Sequence, residues 1–104
     1  MASHEHLEAY NIFFGSLANS NRLAIINSLL QNEKNVSEIC KDTGFEQTMV
    51  SHNLKRLEKC GMVFVTPDGK NRNYKVNQKT IKPLMKFIDQ HIKNYCCKLI
   101  EVKK

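Results

Sequence analysis

The chain has 104 residues, of which 41% are hydrophobic and 25% charged, with only 4 glycines and 2 prolines. This composition predicts a single folded domain over residues 1–104 and excludes a disordered, collagen-like or proline-rich protein. No apolar run approaches the roughly 20 residues of a membrane span. Residues 1–6 lack the basic and apolar regions of a signal peptide. We therefore expect a cytoplasmic protein with no membrane partner.

The net charge of +6 is divided unevenly along the chain. Residues 1–54 carry three basic and six acidic side chains, whereas residues 55–104 carry thirteen basic and four acidic ones. A basic half in a small domain favours nucleic acid as a partner, and an anionic membrane surface second. A lysine-rich surface that only keeps the protein in solution is the alternative.

Apolar spacing predicts the first two helices. A helix over residues 5–18 has one apolar face, formed by Leu7, Tyr10, Phe14, Leu17 and Ala18. Asn19 can cap a second helix over residues 20–31. The inward side chains of this second helix are expected to be Leu23, Ile26, Leu29 and Leu30, with Ile25 at the edge of the stripe.

Two further helices around a glycine indicate a helix-turn-helix. A polar loop over residues 31–35 leads into a short helix over 36–43, which Gly44 ends. The next helix, over residues 47–60, buries Val50, Leu54 and Leu57, and Gly61 closes it.

A β-hairpin and a long helix complete the predicted order. Strands over 62–67 and 72–77 flank the turn signal Asp68-Gly69, and the hairpin tip is polar and basic. The last helix is predicted over 78–102, with Pro83 near its first turn. It carries a seam of alternating four- and three-residue spacing: Ile81, Met85, Ile88, Ile92, Tyr95, Leu99 and Val102. This seam packs either on the first helix of the same chain or across a two-fold dimer interface.

The element order and two local sequences resemble the ArsR/SmtB-type repressors. Residues 17–23 (LANSNRL) resemble the family's "LADPTRL", and residues 47–57 (QTMVSHNLKRL) resemble its recognition helix "QSTVSHHLKVL". The segment Gly61-Met62-Val63 and the basic hairpin ending in Tyr74 match the family's strand and wing, so the resemblance covers residues 12–77. It implies a mainly α winged helix-turn-helix of five helices and two strands. It also implies a homodimeric transcriptional regulator, in particular a repressor that binds an imperfect palindrome in double-stranded DNA.

The resemblance places the recognition helix at 47–60, the wing at 62–77 and the dimerisation helices at 5–18 and 78–102. On the recognition helix, we expect Gln47, Thr48, Ser51 and His52 at base edges and Lys55 and Arg56 at phosphates or flanking bases. On the wing, we expect Lys70 and Arg72 at the minor groove or its phosphates. The expected dimer interface consists of Leu7, Tyr10, Phe14, Ile81, Met85, Ile88, Ile92, Tyr95 and Leu99.

Two alternatives to this function belong to other classes. A winged helix that coats nucleic acid without reading its sequence would use the same basic half of the chain. An enzyme is not indicated, because the sequence shows no nucleophile–base pair, no glycine-rich phosphate loop and no isolated pair of acids.

What the protein senses is left open by the sequence. The positions of the family's Cys-x-Cys metal site are Asn35 and Ser37, which leaves Cys40 alone, and Glu46 stands where a capping Ser or Asp is usual. Asp89-x-His91 resembles half of a last-helix metal site, whose other half would fall near Val102 and beyond. The side chains that could converge across a dimer to bind zinc or nickel are His4, His6, Asp89, His91, Cys96 and Cys97. Oxidation of Cys60, Cys96 or Cys97, all expected as reduced thiols, and the absence of any effector are the alternatives.

Overall fold

The computed structural model of the protein describes residues 3–96. The five predicted helices and the predicted hairpin are all present, and together they form a winged helix-turn-helix. In chain order the elements are α1 (His4–Leu17), α2 (Ser20–Gln31), α3 (Val36–Thr43), α4 (Gln47–Lys59), β1 (Val63–Asp68), β2 (Asn71–Val76) and α5 (Ile81–Tyr95).

Side-chain caps set the starts of the first two helices. The Ser3 hydroxyl accepts a hydrogen bond from the His6 backbone N–H at 3.1 Å, so α1 begins one residue before the predicted position. The Asn19 side-chain oxygen accepts from the Arg22 backbone N–H at 3.0 Å, which confirms the predicted cap of α2. Such caps satisfy N–H groups that have no partner within the helix.

The buried face of α2 differs from the predicted one. Ile25 and Ile26 are fully buried, whereas Leu23 is 37% exposed. The prediction that Leu23 points inward and that Ile25 lies only at the edge of the stripe is therefore wrong. Because α3, α4 and β2 all pack against α2, the covered face is centred on the two isoleucines.

The helix-turn-helix is built as its sequence predicts. Asn35 and Glu38 form a capping box at the start of α3, each side chain accepting the other residue's backbone N–H at 2.9 Å. Gly44 ends α3 with φ at +79°, a left-handed conformation that favours glycine. Glu46 provides no side-chain cap to α4, in agreement with its weak capping tendency, and α4 ends at Lys59, one residue early.

The two strands pair antiparallel, from Val63 opposite Val76 to Asp68 opposite Asn71. The turn consists of Gly69 and Lys70, and Gly69 has φ at +62°, as the first central residue of a type II′ turn requires. Because pairing continues up to this turn, each strand lies one residue closer to the tip than predicted.

The hairpin is also tied to the loop before α3, which the sequence did not predict. The Lys34 N–H donates to the Tyr74 carbonyl oxygen at 3.0 Å, and the Tyr74 N–H donates to the Lys34 carbonyl oxygen at 2.8 Å. The Lys34 ammonium is itself largely buried and donates to the Ser28 carbonyl oxygen and the Asn32 side chain. These bonds hold the hairpin against the body of the domain and so fix where its tip lies.

The last helix begins later than predicted and shares in the core. The side-chain oxygen of Asn77 accepts the N–H groups of Lys79 and Thr80, so a turn precedes α5, which starts at Ile81 with Pro83 in its first turn. Ile81 is only 1% exposed within the single protomer, and its assignment to the dimer interface is therefore wrong. The core consists of Leu17, Ile25, Ile26, Leu29, Ile39, Val50, Leu54, Leu57, Met62, Val63, Tyr74, Val76 and Ile81.

Between residues 3 and 96, no helix is long and apolar enough to cross a membrane. The predicted seam residues Leu99 and Val102 lie outside the described residues.

Candidate nucleic-acid interface

Helix α4 has one buried and one exposed face, and the exposed face is polar and basic. Val50, Leu54 and Leu57 are fully or almost fully buried against the rest of the domain. The six recognition-helix residues expected at DNA are all exposed: Gln47, Thr48, Ser51, His52, Lys55 and Arg56. These side chains carry the donors and acceptors that match base edges and phosphates.

A cleft of about 500 Å³ separates α4 from the hairpin, and we call it the wing cleft. It brings together five of the predicted DNA-contacting side chains, Gln47, Ser51, Lys55, Lys70 and Arg72. Sequence reasoning missed Asn35, Val36 and Ser37 at the start of α3, together with Glu58 and Tyr74, and Asn71 of the hairpin completes the lining. The two positions where a family metal site is lost thus line a cleft between the recognition helix and the wing.

A second, smaller cleft of about 310 Å³ lies beside α4, and we call it the basic cleft. Its lining residues are Arg22, His52, Lys55, Arg56 and Lys59. Arg22 and Lys59 were not among the residues predicted from the sequence. Lys59 falls on the exposed face at helical spacing from His52 and Arg56, a signal that was available in the sequence.

The recognition helix is held in place by a polar network at the end of α1. The Arg22 guanidinium donates to the carbonyl oxygens of Gly15 and Ser16 and to the Asn53 side-chain oxygen, the last at 3.2 Å. Asn53, which is buried on α4, donates in turn to the Met49 carbonyl oxygen at 2.9 Å. Because buried polar groups are costly when unpaired, this network specifies how α4 sits against α1 and α2.

Arg56 takes part in this network as well as facing solvent. Its Nε donates to the Ser16 hydroxyl at 3.0 Å, and the Cys60 sulfur lies 3.1 Å from the same hydroxyl. This hydrogen bond uses only one of the five N–H groups of the guanidinium, and those on the two terminal nitrogens take no part in it. Arg56 is thus a basic group held by a hydrogen bond to α1, and its contact with phosphates or flanking bases stays a prediction.

The flanking helices expose the apolar side chains predicted for a dimer interface. Leu7, Tyr10 and Phe14 on α1 are each about half exposed, and Tyr95 on α5 is 75% exposed. Met85, Ile88 and Ile92 are partly buried along α5. Ile12 on α1 and Phe87 on α5, the latter 67% exposed, are further exposed apolar side chains, and they were not predicted for the interface. An open apolar cavity of about 420 Å³ lies where α1 meets α5, lined by Tyr10, Phe13, Phe14 and Leu84 together with His6 and Ala9.

The residues proposed for metal binding lie on these same two helices. His4 and His6 are exposed on α1, with the His6 ring 4.8 Å from that of Tyr10, and the His91 ring on α5 lies 5.1 Å from the Tyr95 ring, tilted by 39°. Asp89 is exposed, Cys96 is a half-buried free thiol, and Cys97 lies outside the described residues. Within one protomer, residues 3–96 contain no group of three or more metal-ligating side chains. The predicted site draws its ligands from two protomers and stays a prediction.

The sequence of the chain is similar to those of known regulatory proteins. A family model described as "Bacterial regulatory protein, arsR family" matches residues 19–64. A probable mercury resistance operon repressor from Streptomyces lividans is 33% identical over 73 residues, which cover 70% of this chain and 58% of that protein. The HTH-type transcriptional regulator Rv0324 from Mycobacterium tuberculosis is 31% identical over 81 residues, 74% of this chain and 36% of that protein. The chain therefore spans about half or less of the length of these relatives.

The fold also matches solved structures. The homodimeric winged helix-turn-helix DNA-binding domain Mb0332 from Mycobacterium bovis, described as a possible ArsR-family regulator, superposes with a TM-score of 0.80. It is 27% identical in sequence, and the match covers 86% of this chain and 83% of that one. The similarity extends beyond the helix-turn-helix to the flanking helices, since little more than a tenth of the chain is left unmatched.

Proposed function

The chain belongs to the ArsR family of bacterial regulatory proteins, and on this premise we propose that it is a DNA-binding transcriptional regulator and acts as a repressor. The observation that carries this proposal is the exposed polar face of α4, flanked by the wing cleft and the basic cleft. The family is one of regulators rather than enzymes. We place the action of the protein in the cytoplasm, where bacterial DNA lies.

We assign sequence reading to the first half of α4. In a helix-turn-helix, the N-terminal residues of the second helix contact base edges in the major groove. Gln47, Thr48, Ser51 and His52 occupy these positions, and glutamine can pair with adenine through two hydrogen bonds. Lys55 lies further along the exposed face, where it serves phosphates or flanking bases.

We assign backbone binding on one side of α4 to the wing. Lys70 lies in the hairpin turn and Arg72 is the second residue of β2, and both are exposed and line the wing cleft. Each cation that neutralises a phosphate releases condensed counterions, which adds affinity at low salt without adding sequence preference. An arginine at a hairpin tip also suits the negative potential of a narrow minor groove.

We propose a homodimer formed through α1 and α5. Leu7, Tyr10 and Phe14 on α1 and Tyr95 on α5 are exposed in one protomer beside an open apolar cavity, and exposed apolar surface of this kind marks an interaction site. The related Mb0332 domain is homodimeric. Two-fold symmetry would present two recognition helices to half-sites about 34 Å apart or a multiple of that distance, which implies an imperfect palindrome as operator.

Selection of binding sites from a pool of randomised DNA tests this function. We expect the wild-type protein to enrich a shared imperfect palindrome. Gln47→Ala, which removes one base-reading side chain from an exposed position, should enrich a motif that is degenerate at one position in each half-site. Lys86→Ala, an exposed change on α5, is the matched control and should enrich the wild-type motif. If the wild type enriches no motif, the protein coats nucleic acid without reading it, and the proposed function fails.

A further inference from the structure

The basic cleft has a composition that no other part of the interface shares. All five residues that line it are basic or can become so: Arg22, His52, Lys55, Arg56 and Lys59. The wing cleft, by contrast, includes the acidic side chain of Glu58. A concave surface lined by one sign of charge concentrates the opposite charge, so the basic cleft favours an anion more strongly than its surroundings do.

The two clefts lie on different flanks of the same helix. His52, Arg56 and Lys59 line the basic cleft, whereas Gln47, Ser51 and Glu58 line the wing cleft. With 3.6 residues per turn, the centres of these two groups are roughly 130° apart around the helix axis. Lys55 lines both clefts and therefore lies on the crest between them.

Two of the cations in the basic cleft are held in position by neutral groups. Arg22 donates to two backbone carbonyl oxygens and to the amide of Asn53, and Arg56 donates to the hydroxyl of Ser16. Between residues 3 and 96, the one ion pair joins Lys34 to Asp42, so no carboxylate in that part of the chain neutralises the cleft. The guanidinium groups are therefore fixed in place with their charge intact, which lowers the entropy that binding an anion would cost.

We propose that the basic cleft binds the phosphate backbone of one DNA strand, while the wing cleft receives the backbone of the other. A helix with its side chains is about 10–12 Å wide, and the major groove is about 12 Å wide. A helix that fills the groove thus brings each of its flanks to one of the two bordering strands. This inference rests on the proposed function, and it adds Arg22 and Lys59 to the DNA-binding surface.

The first test is the salt dependence of DNA binding by Lys59→Ala. We expect the affinity for the selected operator and for random DNA to fall by the same factor, and the slope of log affinity against log salt to become shallower by about one for each bound protomer. Lys86→Ala, an exposed lysine on α5 outside both clefts, should leave the slope unchanged. If Lys59→Ala behaves like Lys86→Ala while the wild type still prefers its operator, the basic cleft proposal is wrong and the proposed function stands.

The second test assigns strands by replacing single phosphates of the operator with neutral methylphosphonates. The wild type should lose affinity at positions on both strands of each half-site. Lys59→Ala should become insensitive to a replacement on one strand, and Arg72→Ala to a replacement on the other. If both variants lose sensitivity on the same strand, the two clefts do not grip opposite strands and the proposal is overturned.

A third measurement separates a DNA phosphate from a small anionic effector. The wild-type protein without DNA is titrated with inorganic pyrophosphate in a calorimeter. We expect no saturable binding at millimolar concentrations, because a phosphate in this cleft is one of many contacts that together give DNA its affinity. Saturable binding that Lys59→Ala abolishes, with an unchanged DNA salt slope in the same variant, would show an effector site instead.

Discussion

The segment from α2 to β2 buries most of its apolar side chains within one protomer, whereas α1 and α5, apart from Leu17 and Ile81, leave theirs exposed or only partly buried. All residues of the core except Leu17 and Ile81 lie between Ser20 and Val76. Most of the large apolar side chains that are exposed among residues 3–96 belong to α1 and α5, with Leu23 and Phe64 as the exceptions. The helix-turn-helix and wing therefore bury their own core, and the flanking helices are the part that we propose a second copy covers.

One small chain thus keeps the surface proposed to read DNA apart from the surface proposed to form the dimer. The recognition face needs a rigid support, and α4 receives it from the core beneath and from the Arg22–Asn53 network at its side. The flanking helices meet the helix-turn-helix and wing at the buried residues Ser16, Leu17 and Ile81 and at the partly buried Phe13, Leu84 and Met85, which pack against the core. These contacts fix the angle between the proposed dimer surface and the recognition helix.

The largest expected effect is a loss of folding stability when the core beneath α4 is disrupted. Leu54→Ala removes a buried side chain from α4 and should lower the free energy of unfolding by about 2–5 kcal/mol. The neighbouring exposed change Lys55→Ala is the control and should stay within about 0.5 kcal/mol of wild type. Urea unfolding at one fixed protein concentration measures both, since dimer stability depends on concentration. Equal midpoints for the two variants would show that α4 is not supported by this core.

A charge placed on α5 tests the other side of the comparison. Ile88→Glu puts an unpaired carboxylate into the proposed dimer interface and should raise the dimer dissociation constant at least about a hundredfold, or roughly 2.7 kcal/mol. Gln90→Glu adds the same charge at an exposed position of the same helix and should leave the dimer intact. Sedimentation velocity distinguishes the two. A dimer that survives Ile88→Glu would place the interface elsewhere.

The junction between the two regions is tested at Arg22. Arg22→Lys keeps the charge but loses the planar fork, so one ammonium cannot serve Gly15, Ser16 and Asn53 together. We expect a loss of about 1–2 kcal/mol in unfolding free energy. Arg72→Lys, the same exchange at an exposed position of the wing, should cost less than about 0.5 kcal/mol. Similar losses for both would mean that the network contributes nothing to stability.

The wing is expected to contribute charge rather than sequence reading. Lys70→Ala and Arg72→Ala should each make the salt dependence of DNA binding shallower by about one for each bound protomer and should leave the fold intact. Gln47→Ala should instead relax base preference with the slope unchanged. Fluorescence anisotropy across a salt series measures these slopes. Unchanged slopes in both wing variants would show that the wing does not touch DNA.

The smallest expected effect concerns a metal shared across the dimer. We expect zinc or nickel to bind weakly through Asp89 and His91, with His4 or His6 of the partner subunit, because this ligand set is incomplete. Calorimetric titration of the wild type and of His91→Ala measures it, and the variant should bind less tightly. Cys40→Ala is the control and should bind as the wild type does. Equal binding by the wild type and His91→Ala would remove this site.

Local signals explain why much of the fold was predictable. The turn after α3 needs a left-handed backbone, which Gly44 allows, and Asn19 supplies the cap of α2. The spacing of Val50, Leu54 and Leu57 defines the inner face of α4. Each of these features depends on residues within one or two helical turns. The same is true of the exposed face of α4, which is what remains once the inner face is known.

The features that were missed depend on residues far apart in the chain. The backbone bridge between Lys34 and Tyr74 joins residues separated by the whole of α3, α4 and β1. Arg22 reaches Asn53 on α4, which no local pattern indicates. The burial of Ile81 likewise depends on how the end of the hairpin meets the core, so the seam spacing alone assigned it to the wrong surface.

The central claim is that the exposed face of α4 reads a base sequence, and competition between DNA sequences tests it most directly. The protein is bound to its selected operator at about 0.15 M salt, because the salt concentration sets the affinity of nucleic-acid complexes. Random-sequence duplex of equal length is then added as the competitor. We expect the operator to bind at least about a thousandfold more tightly than the random duplex. Equal competition by both duplexes would contradict the account and leave a protein that binds DNA only through its charge.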